Sequence, residues 1–532
     1  CDELLHGVPG VCALVGRHEL VASLTSRLDQ LEARASTHEQ WIEQATDLSA
    51  EQIELANAEL IPLRDAVWAI RHDRLRTARE VDALAGRDAG RAAVAGYLAV
   101  QQALSAIDRL EVRGRDSAGL HLYVWDHGVS PDDPAVRSLL AQRLADPLFK
   151  NGSVRPAGPC LSFVYKAAAE IGELGDNTRA LRAAIQADDL LRLSLARPEA
   201  RLTVLGHTRW ASVGIISEPN CHPLNSEESE MSGADRERPY VVAALNGDVD
   251  NHADIKVQHE LKIPGPITTD AKVIPAVMSR LAADTHGDLT EAFRRTVAGF
   301  EGSVAIGAAS AAAPDQLFLA LRGSGQALYV GLADDCYIVA SEPYGVVEET
   351  ARYLRVDGET LSPSGSRGQV FVLDGAHAGE LSGVHRYAYD GSELPLANRD
   401  VATAQVTTRD IDRGEAPHFL LKEINEAPVS FRKTLRGKIV EQDGLLRAVV
   451  GDRSLPPEIA ARLASGEITK VRVIGQGTAA VAGRSMAAVL DDICGGRLDI
   501  DPITATELSG FGLRLDMSDT LIVAVSQSGT TT

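Results

Sequence analysis

Nowhere does this sequence approach the roughly 18–20 consecutive apolar residues that a membrane-spanning helix needs, so no membrane partner is expected. Positive charge is in short supply: 53 Lys and Arg stand against 74 Asp and Glu, a net charge of −21. Gripping a phosphate backbone takes a basic face, so no nucleic-acid partner is expected either. Cysteine is sparse and scattered. Cys1, Cys12, Cys160, Cys221, Cys336 and Cys494 include no Cys-x-x-Cys pair, which suits a reducing cytoplasm better than a disulfide framework. The first residues lack the basic-then-apolar layout of a secretory leader. Cys221, His207, His222 and His252 follow no zinc spacing, and neither metal nor cofactor is expected. With 532 residues the chain exceeds one compact core and reads as a cytoplasmic protein of several domains.

What is present changes period along the chain. From about 18 to 110 the pattern is helical, with Leu24, Leu28 and Leu31 on one face and charged residues between. This reads as a helical hairpin packed on its domain, or else as an oligomerisation arm or lid. A second helical run covers Ile185 to Leu195. Beyond 110, Leu120, Leu122 and Val124 alternate with other residues as in a half-buried strand. Further strands are predicted at 202–205, 241–245, 303–308, 316–321, 327–330, 337–340 and 369–373, with helices at 271–283 and 289–296. Many strands with few helices between them point to an α+β fold of stacked sheets flanked by helices. Residues 376–418 lack periodicity and read as a linker. From 419 a helix, a strand at 471–474, a Gly turn, a helix through 490 and a strand at 521–525 give a doubly wound α/β pattern. Two parallel strands do not stand alone, so the chain is expected to be an incomplete product.

The chemistry lies in His207-Thr208-Arg209-Trp210-Ala211-Ser212, followed in order by Asn246-Gly247 and Thr269-Asp270. A guanidinium can clamp an α-carboxylate through two parallel hydrogen bonds. A carboxylate can take an α-ammonium. An Asn amide and a Gly N–H can face the oxyanion that forms when a carboxamide is attacked. Each motif alone has a bland reading: Asn-Gly is a common turn, Thr-Asp a common helix cap. Their joint order favours an enzyme that handles free glutamine.

The chain resembles the glutamine:fructose-6-phosphate aminotransferase (isomerising), or glucosamine-6-phosphate synthase, family. The family's YRGYDSAG stands here as VRGRDSAG, HTRWATHG as HTRWASVG and HNGIIENH as LNGDVDNH. SDTEVI stands as TDAKVI, and KEIYEQP as KEINEAP at Lys422–Pro428. Sugar-isomerase (SIS) motifs recur as GQGTAA at Gly475–Ala480 and SQSGTTT at Ser526–Thr532. The matches are collinear from about residue 110 onward. The resemblance implies an Ntn-hydrolase-type α/β/β/α amidotransferase domain over 1–375 with a helical insertion, a linker over 376–418 and a partial SIS domain over 419–532. Arg209 would bind the glutamine carboxylate, Asp270 its ammonium, and Ser212 would assist. Trp210 would gate the ammonia exit, while Asn246 and Gly247 form the oxyanion hole. Val213 replaces a family His, and one polar contact goes with it. In the SIS part Thr478, Ser526, Gln527, Ser528 and Thr531 would cradle a sugar phosphate at a helix N-terminus, with Ala479 replacing a family Ser.

The family nucleophile is an N-terminal cysteine whose own α-amine serves as base. Three readings stand. Cys1 meets the condition by position, although CDELLHG looks helical where the family has a strand CGIVG. Cys12 has the closer local match, CALVG, and needs removal of 11 residues. In the third, the nucleophile is absent. The implied activity is glutamine hydrolysis with ammonia delivered to fructose 6-phosphate or a related phosphosugar, in a homo-oligomer. The family's isomerising residues lie in a second SIS domain that this sequence lacks. The alternative is a catalytically impaired module that binds glutamine or a phosphosugar and regulates a partner.

Overall fold

The computed structural model describes residues 2–45, 50–86, 89–141, 143–168, 173–211, 213–229, 238–323, 325–435, 438–442, 444–449 and 454–526. The chain divides into two compact units, Cys1–Thr46 with Leu55–Ala427, and Asp47–Glu54 with Pro428–Thr532. Among the described residues no helix is long and apolar enough to cross a membrane.

The first unit opens with helices: α1 (Gly7–Leu14), α2 (His18–Gln44), α3 (Ala50–Trp68), a π-helical turn at Ala69–Leu75, α4 (Arg76–Ala85) and α5 (Arg91–Leu110). The helical run is therefore observed, and α4 and α5 bury Val81, Leu84, Val94, Tyr97 and Leu104 against a sheet. Polar ties seat it. Thr77 donates to Glu348 at 2.8 Å, Arg109 grips the same carboxylate, and Thr408 donates to Asp73 at 2.6 Å.

There follow β1 (Ser117–Trp125), α6 (Pro134–Ala141), β2 (Val154–Ala157), β3 (Cys160–Ala168), α7 (Asp176–Gln186), α8 (Asp189–Ser194) and β4 (Arg201–Arg209). They form an antiparallel sheet in the order β2-β3-β1-β4. The expected run 185–195 is split, because Asp188 leaves the helix to cap α8 and accepts both Arg143 and Tyr165. β1 was expected half-buried, yet all nine residues are buried. Its alternation separates two covered faces instead of a wet and a dry one. Ala118, Leu120, Leu122 and Val124 meet the helices, while Tyr123 and Trp125 meet a second sheet.

That second sheet uses β5 (Leu224–Asn225) and β6 (Val241–Gly247), then, after α9 (His252–Gln258), α10 (Val273–Asp284) and α11 (Leu289–Ala298), β7 (Val304–Ser310) and β8 (Gln316–Arg322). A smaller sheet collects β9 (Leu328–Leu332), β10 (Tyr337–Ala340) and β11 (Arg352–Val356), while β12 (Gln369–Asp374) and β13 (Val384–Ala388) return to the second, and β14 (Val401–Thr403) joins the smaller one. The second sheet runs β13-β12-β8-β7-β6-β5. Val241, Ala243 and Leu245 pack under α10 and α11, and Val242 faces Tyr123 and Trp125 of β1. Helices, sheet, sheet and helices thus make the α/β/β/α layering that the strand count suggested. The linker reading of 376–418 is corrected over 384–403. Two short strands there are hydrogen-bonded into the sheets, in a stretch too brief and too rich in Gly, His and Asp to show a period.

The second unit carries the C-terminal part, from Pro428, of α12 (Phe419–Leu435), the hairpin β15 (Ile439–Gln442) and β16 (Leu445–Ala448), α13 (Pro457–Ser465), β17 (Lys470–Gly475), α14 (Thr478–Cys494), β18 (Asp499–Thr504), the short α15 (Ala505–Glu507) and β19 (Thr520–Ala524). Its parallel sheet is β18-β17-β19, three strands where two were expected. Pro502 and two Asp hide β18 in the sequence, and an edge strand tolerates them.

Candidate active site at the polar end of the sheet sandwich

The layer between the two large sheets changes character along its length. At one end it is Tyr123, Trp125, Val242, Ala309 and Ala311. At the other, the same faces of β1, β3 and β4 present Ser117, His121, Lys166, His207 and Arg209, as the register pairs Gly119 with both Lys166 and His207. β1 begins, and β4 and β6 end, at this polar end, so Ser117, Arg209 and Asn246-Gly247 meet there.

The RGRDSAG motif supports the loop after Arg209. A Cβ on Gly114 would lie 2.5 Å from Trp210 N, so only glycine lets the chain pass. Asp116 accepts the N–H of Ala211 at 2.9 Å, and its own N–H donates to Arg209 O at 3.0 Å. The Arg209 side chain is 5% exposed. Its guanidinium donates to Asn220 O at 3.3 Å and to Val213 O, and its other three N–H groups meet no acceptor among the described residues. Burial lowers its pKa, while Cys221, Asp270 and Asp116 act in the opposite sense. Arg209 and Asp270 therefore sense one another without forming an ion pair.

Asp270 opens a 3₁₀ turn, Asp270–Lys272, ahead of α10. Its carboxylate is buried, accepts Val249 N–H at 2.8 Å and lies 3.3 Å from the Thr269 hydroxyl. The open edge of β6 explains what this placement achieves. Asp248 N–H donates to Ser303 O, so even-numbered residues of this strand bond β7 and odd-numbered ones point the other way. On that outward edge Leu245 N–H lies 3.4 Å from His222 Nδ1, and Val249 N–H meets Asp270. Gly247 N–H stands between them, directed out of the edge. Gly247 has φ +112°, and a Cβ there would lie 2.0 Å from Ser303 O, so the position requires glycine. Asn246 is exposed at the strand end, on the face that Val242 turns toward the first sheet.

Two residues outside the predicted set organise the site. Asn220, fully buried, accepts the N–H groups of Thr268 at 2.7 Å and Thr269 at 3.0 Å through its side-chain oxygen. His222 bridges β6 and the Asp270 turn, with Nε2 3.2 Å from Thr269 Oγ1 and Nδ1 3.1 Å from Leu245 O. Burial, reinforced by His207 and Arg209, holds His222 neutral, and burial with Arg209 lowers His207 to about 4. Neither residue carries a sequence signal beyond its closeness to Arg209.

The remaining expectations divide. Trp210 is 75% exposed beside Arg209. Cys1 and Ser212 lie outside the described residues, as do Gln527, Ser528 and Thr531. Cys12 does not begin a strand: it sits within α1, packed against the helical core, and burial raises its thiol pKa. Its CALVG context reads as a buried helical turn because Val11 and Leu14 face the same core. In the second unit, Thr478 is exposed at the N-terminus of α14, and Ser526 follows β19, where Val525 N–H bonds Ile474 O at 2.8 Å. A Cβ on Gly475 would lie 2.9 Å from the main chain at Ala479–Ala480, so this glycine permits the tight strand-to-helix turn. Among the described residues no group of three metal-ligating side chains converges.

No protein-family model matches the chain. It is similar to glutamine–fructose-6-phosphate aminotransferase (isomerizing) of Oceanobacillus iheyensis, 28% identical over 346 residues, 64% of this chain and 50% of that protein. Proteins of the same name from Streptococcus pneumoniae (24% over 335 residues, 62% of this chain and 48% of that protein) and Streptococcus pyogenes (25% over 345 residues, 64% and 49%) also match. The resemblance carried by the motifs is thus borne out, and the chain spans about half the length of the curated relatives it matches. Among solved structures, glutamine phosphoribosylpyrophosphate amidotransferase from B. subtilis with ADP and GMP is 15% identical, with a TM-score of 0.34 over 78% of this chain and 68% of that one. The allosteric regulatory enzyme of purine biosynthesis is 17% identical, with a TM-score of 0.33 over 54% of this chain and 46% of that one.

Proposed function

We propose that the first unit binds free L-glutamine and hydrolyses its side-chain amide, and that the ammonia serves amino-sugar synthesis from fructose 6-phosphate. One observation carries the reading: Arg209, Asp270 and the outward N–H of Gly247 converge at one end of the sandwich. Arg209 takes the α-carboxylate and Asp270 the α-ammonium, and Ser212 is proposed to assist in binding. The side-chain amide then reaches Asn246 and Gly247. A thiolate attacks the amide carbon, the carbonyl oxygen becomes negative against these two donors, and the C–N bond breaks as the nitrogen gains a proton. Water cleaves the resulting thioester to release glutamate. Trp210 would close over the departing ammonia.

Cys1 is the proposed nucleophile of a mature form in which its α-amine is free to act as base. In the second unit, Thr478 and Ser526, with Gln527, Ser528 and Thr531, would take the sugar phosphate. The five described cysteines are free thiols, in keeping with a cytoplasmic enzyme. The test is glutamate release, combined with labelling by 6-diazo-5-oxonorleucine and mass spectrometry of the N-terminal peptide. Label on Cys1 supports the assignment. Glutamine binding with no cysteine labelled would turn the reading to a non-hydrolysing binding module.

A further inference from the structure

Lys272 is a side chain for which the proposed chemistry has no use. It ends the turn that Asp270 opens, and it is 1% exposed. Its ammonium has three donors, and three oxygens meet them: Asn225 O at 2.6 Å, Asn225 Oδ1 at 3.1 Å and Glu227 O at 2.7 Å. The resembled family has Glu at this position, in SDTEVI, where this chain reads TDAKVI. A carboxylate has only acceptors and would face three oxygens with nothing to donate. Lysine and its oxygen cage are thus a matched set that a glutamate at this position would break.

The cage belongs to the segment that also holds Arg209. Asn220 accepts from Arg209, and five residues later Asn225 accepts from Lys272. The Asp270 turn is therefore fixed twice to one stretch of chain, at its entry by Asn220 and at its exit by Lys272. We propose that Lys272 is a positioning residue: by holding the Asp270–Lys272 turn on the Asn225–Glu227 segment, it sets the spacing between the Asp270 carboxylate and the Arg209 guanidinium, and with it the affinity for the amino acid. This rests on the glutamine reading above.

The charge environment of the cage agrees with the geometry. Burial is the main cause that brings Lys272 down to about 7, with Lys166 and Arg155 adding to it and Glu227 and Glu228 opposing. A folded pKa below the free-lysine value means that the ammonium, and the grip it exerts, fades as pH rises through 7.

The test measures glutamine affinity by calorimetry on the whole chain, since binding does not require the nucleophile. Lys272→Met should weaken binding about ten-fold, the scale expected when a clamp is displaced by a fraction of an ångström. Lys272→Glu should weaken it at least as much. Wild-type affinity should fall between pH 6 and 8, while the Met variant stays flat. Asn225→Ala, which removes one acceptor and keeps the lysine, should give an intermediate loss and carries the test if the Lys272 variants do not fold. Wild-type affinity in Lys272→Met, recovery in Lys272→Glu, or a flat wild-type profile with Asn225→Ala unchanged would each overturn the proposal. A wild-type chain that does not bind glutamine would instead sink the functional reading beneath it.

Discussion

Asn220 joins the two halves of the clamp: its main-chain oxygen accepts Arg209 at 3.3 Å, and its side-chain oxygen accepts Thr269 N–H at 3.0 Å. Removing that side chain takes the acceptor from two N–H groups, that of exposed Thr268, which water can satisfy, and that of buried Thr269. Stranding the buried one costs about 1–3 kcal/mol. Asn220→Ala should therefore lower the urea midpoint clearly and weaken glutamine binding together with it. Asn220→Asp keeps the acceptor but turns a second oxygen onto Pro266 O, to which the amide nitrogen donates at 3.1 Å, so it should recover only part of the stability. A variant with Ala here that unfolds like wild type would show that water replaces the cap.

Arg209 and Asp270 should fail in different ways. Arg209→Lys keeps the charge but loses the planar fork, so kcat/KM for glutamine should drop about 100-fold or more. Asp270→Asn keeps the shape and the contact with Val249 N–H, yet loses the charge that meets an ammonium. Its discrimination against glutamine analogues lacking the α-amine should vanish. Steady-state kinetics with both substrates separates the two effects.

The oxyanion assignment predicts a contrast between neighbours. Asn246 is exposed at the end of β6, and Asn246→Ala should lower kcat by about 100- to 1,000-fold with little change in glutamine affinity. Gly247→Ala should fail structurally, because the left-handed φ of +112° and the Ser303 oxygen 2.0 Å from a Cβ leave it no room. Circular dichroism melting distinguishes a folded, inactive Asn246→Ala from a destabilised Gly247→Ala.

How much of this was legible follows from what each residue needed. The apolar alternation of Leu120, Leu122 and Val124 announces β1, and the leucines of α2 announce the helical arm, because both signals are local. β3 went unread. Ser162 and Lys166 stand on its interior face, so a core strand looks amphipathic when the layer it faces is polar. Arg209, Asn246-Gly247 and Asp270 were legible through the order of their motifs. Asn220 and Lys272 were not, since each takes its meaning from partners in other segments, Thr268 and Thr269 for one and Asn225 and Glu227 for the other.

In the second unit, the turn from Gly475 into α14 predicts an anion site that reads charge before sugar. Thr478→Val should weaken fructose 6-phosphate binding roughly ten-fold, the loss typical of one hydrogen bond to a charged group. It should leave glutamine binding unchanged. Inorganic phosphate should compete with the sugar in wild type. Equal affinity for fructose and fructose 6-phosphate would refute the phosphate cradle.

Acid sensitivity should follow the buried imidazoles. Burial, with Lys166 nearby, brings His121 down to about 3, and His207 lies at about 4. An unfolded histidine titrates near ~6.5. The folded values are lower, so the unfolded chain binds the extra protons. The stability from each neutral ring is complete above pH ~6.5 and is lost as pH falls toward the folded value. Asp73 and Glu349 run the other way: burial raises both to about 7, so their contribution is present in acid and is lost as pH rises from ~4 to 7. A difference measurement removes that opposing background. His121→Asn can keep a hydrogen bond to Ser162, which His121 Nε2 meets at 2.7 Å, and it has no proton to gain. Between pH 6 and 4.5 the stability of wild type relative to His121→Asn should fall by about 1.4 kcal/mol per pH unit. A difference that stays constant with pH would mean that His121 takes its proton in the folded state as easily as in the unfolded chain, and that the polar end of the sandwich admits water.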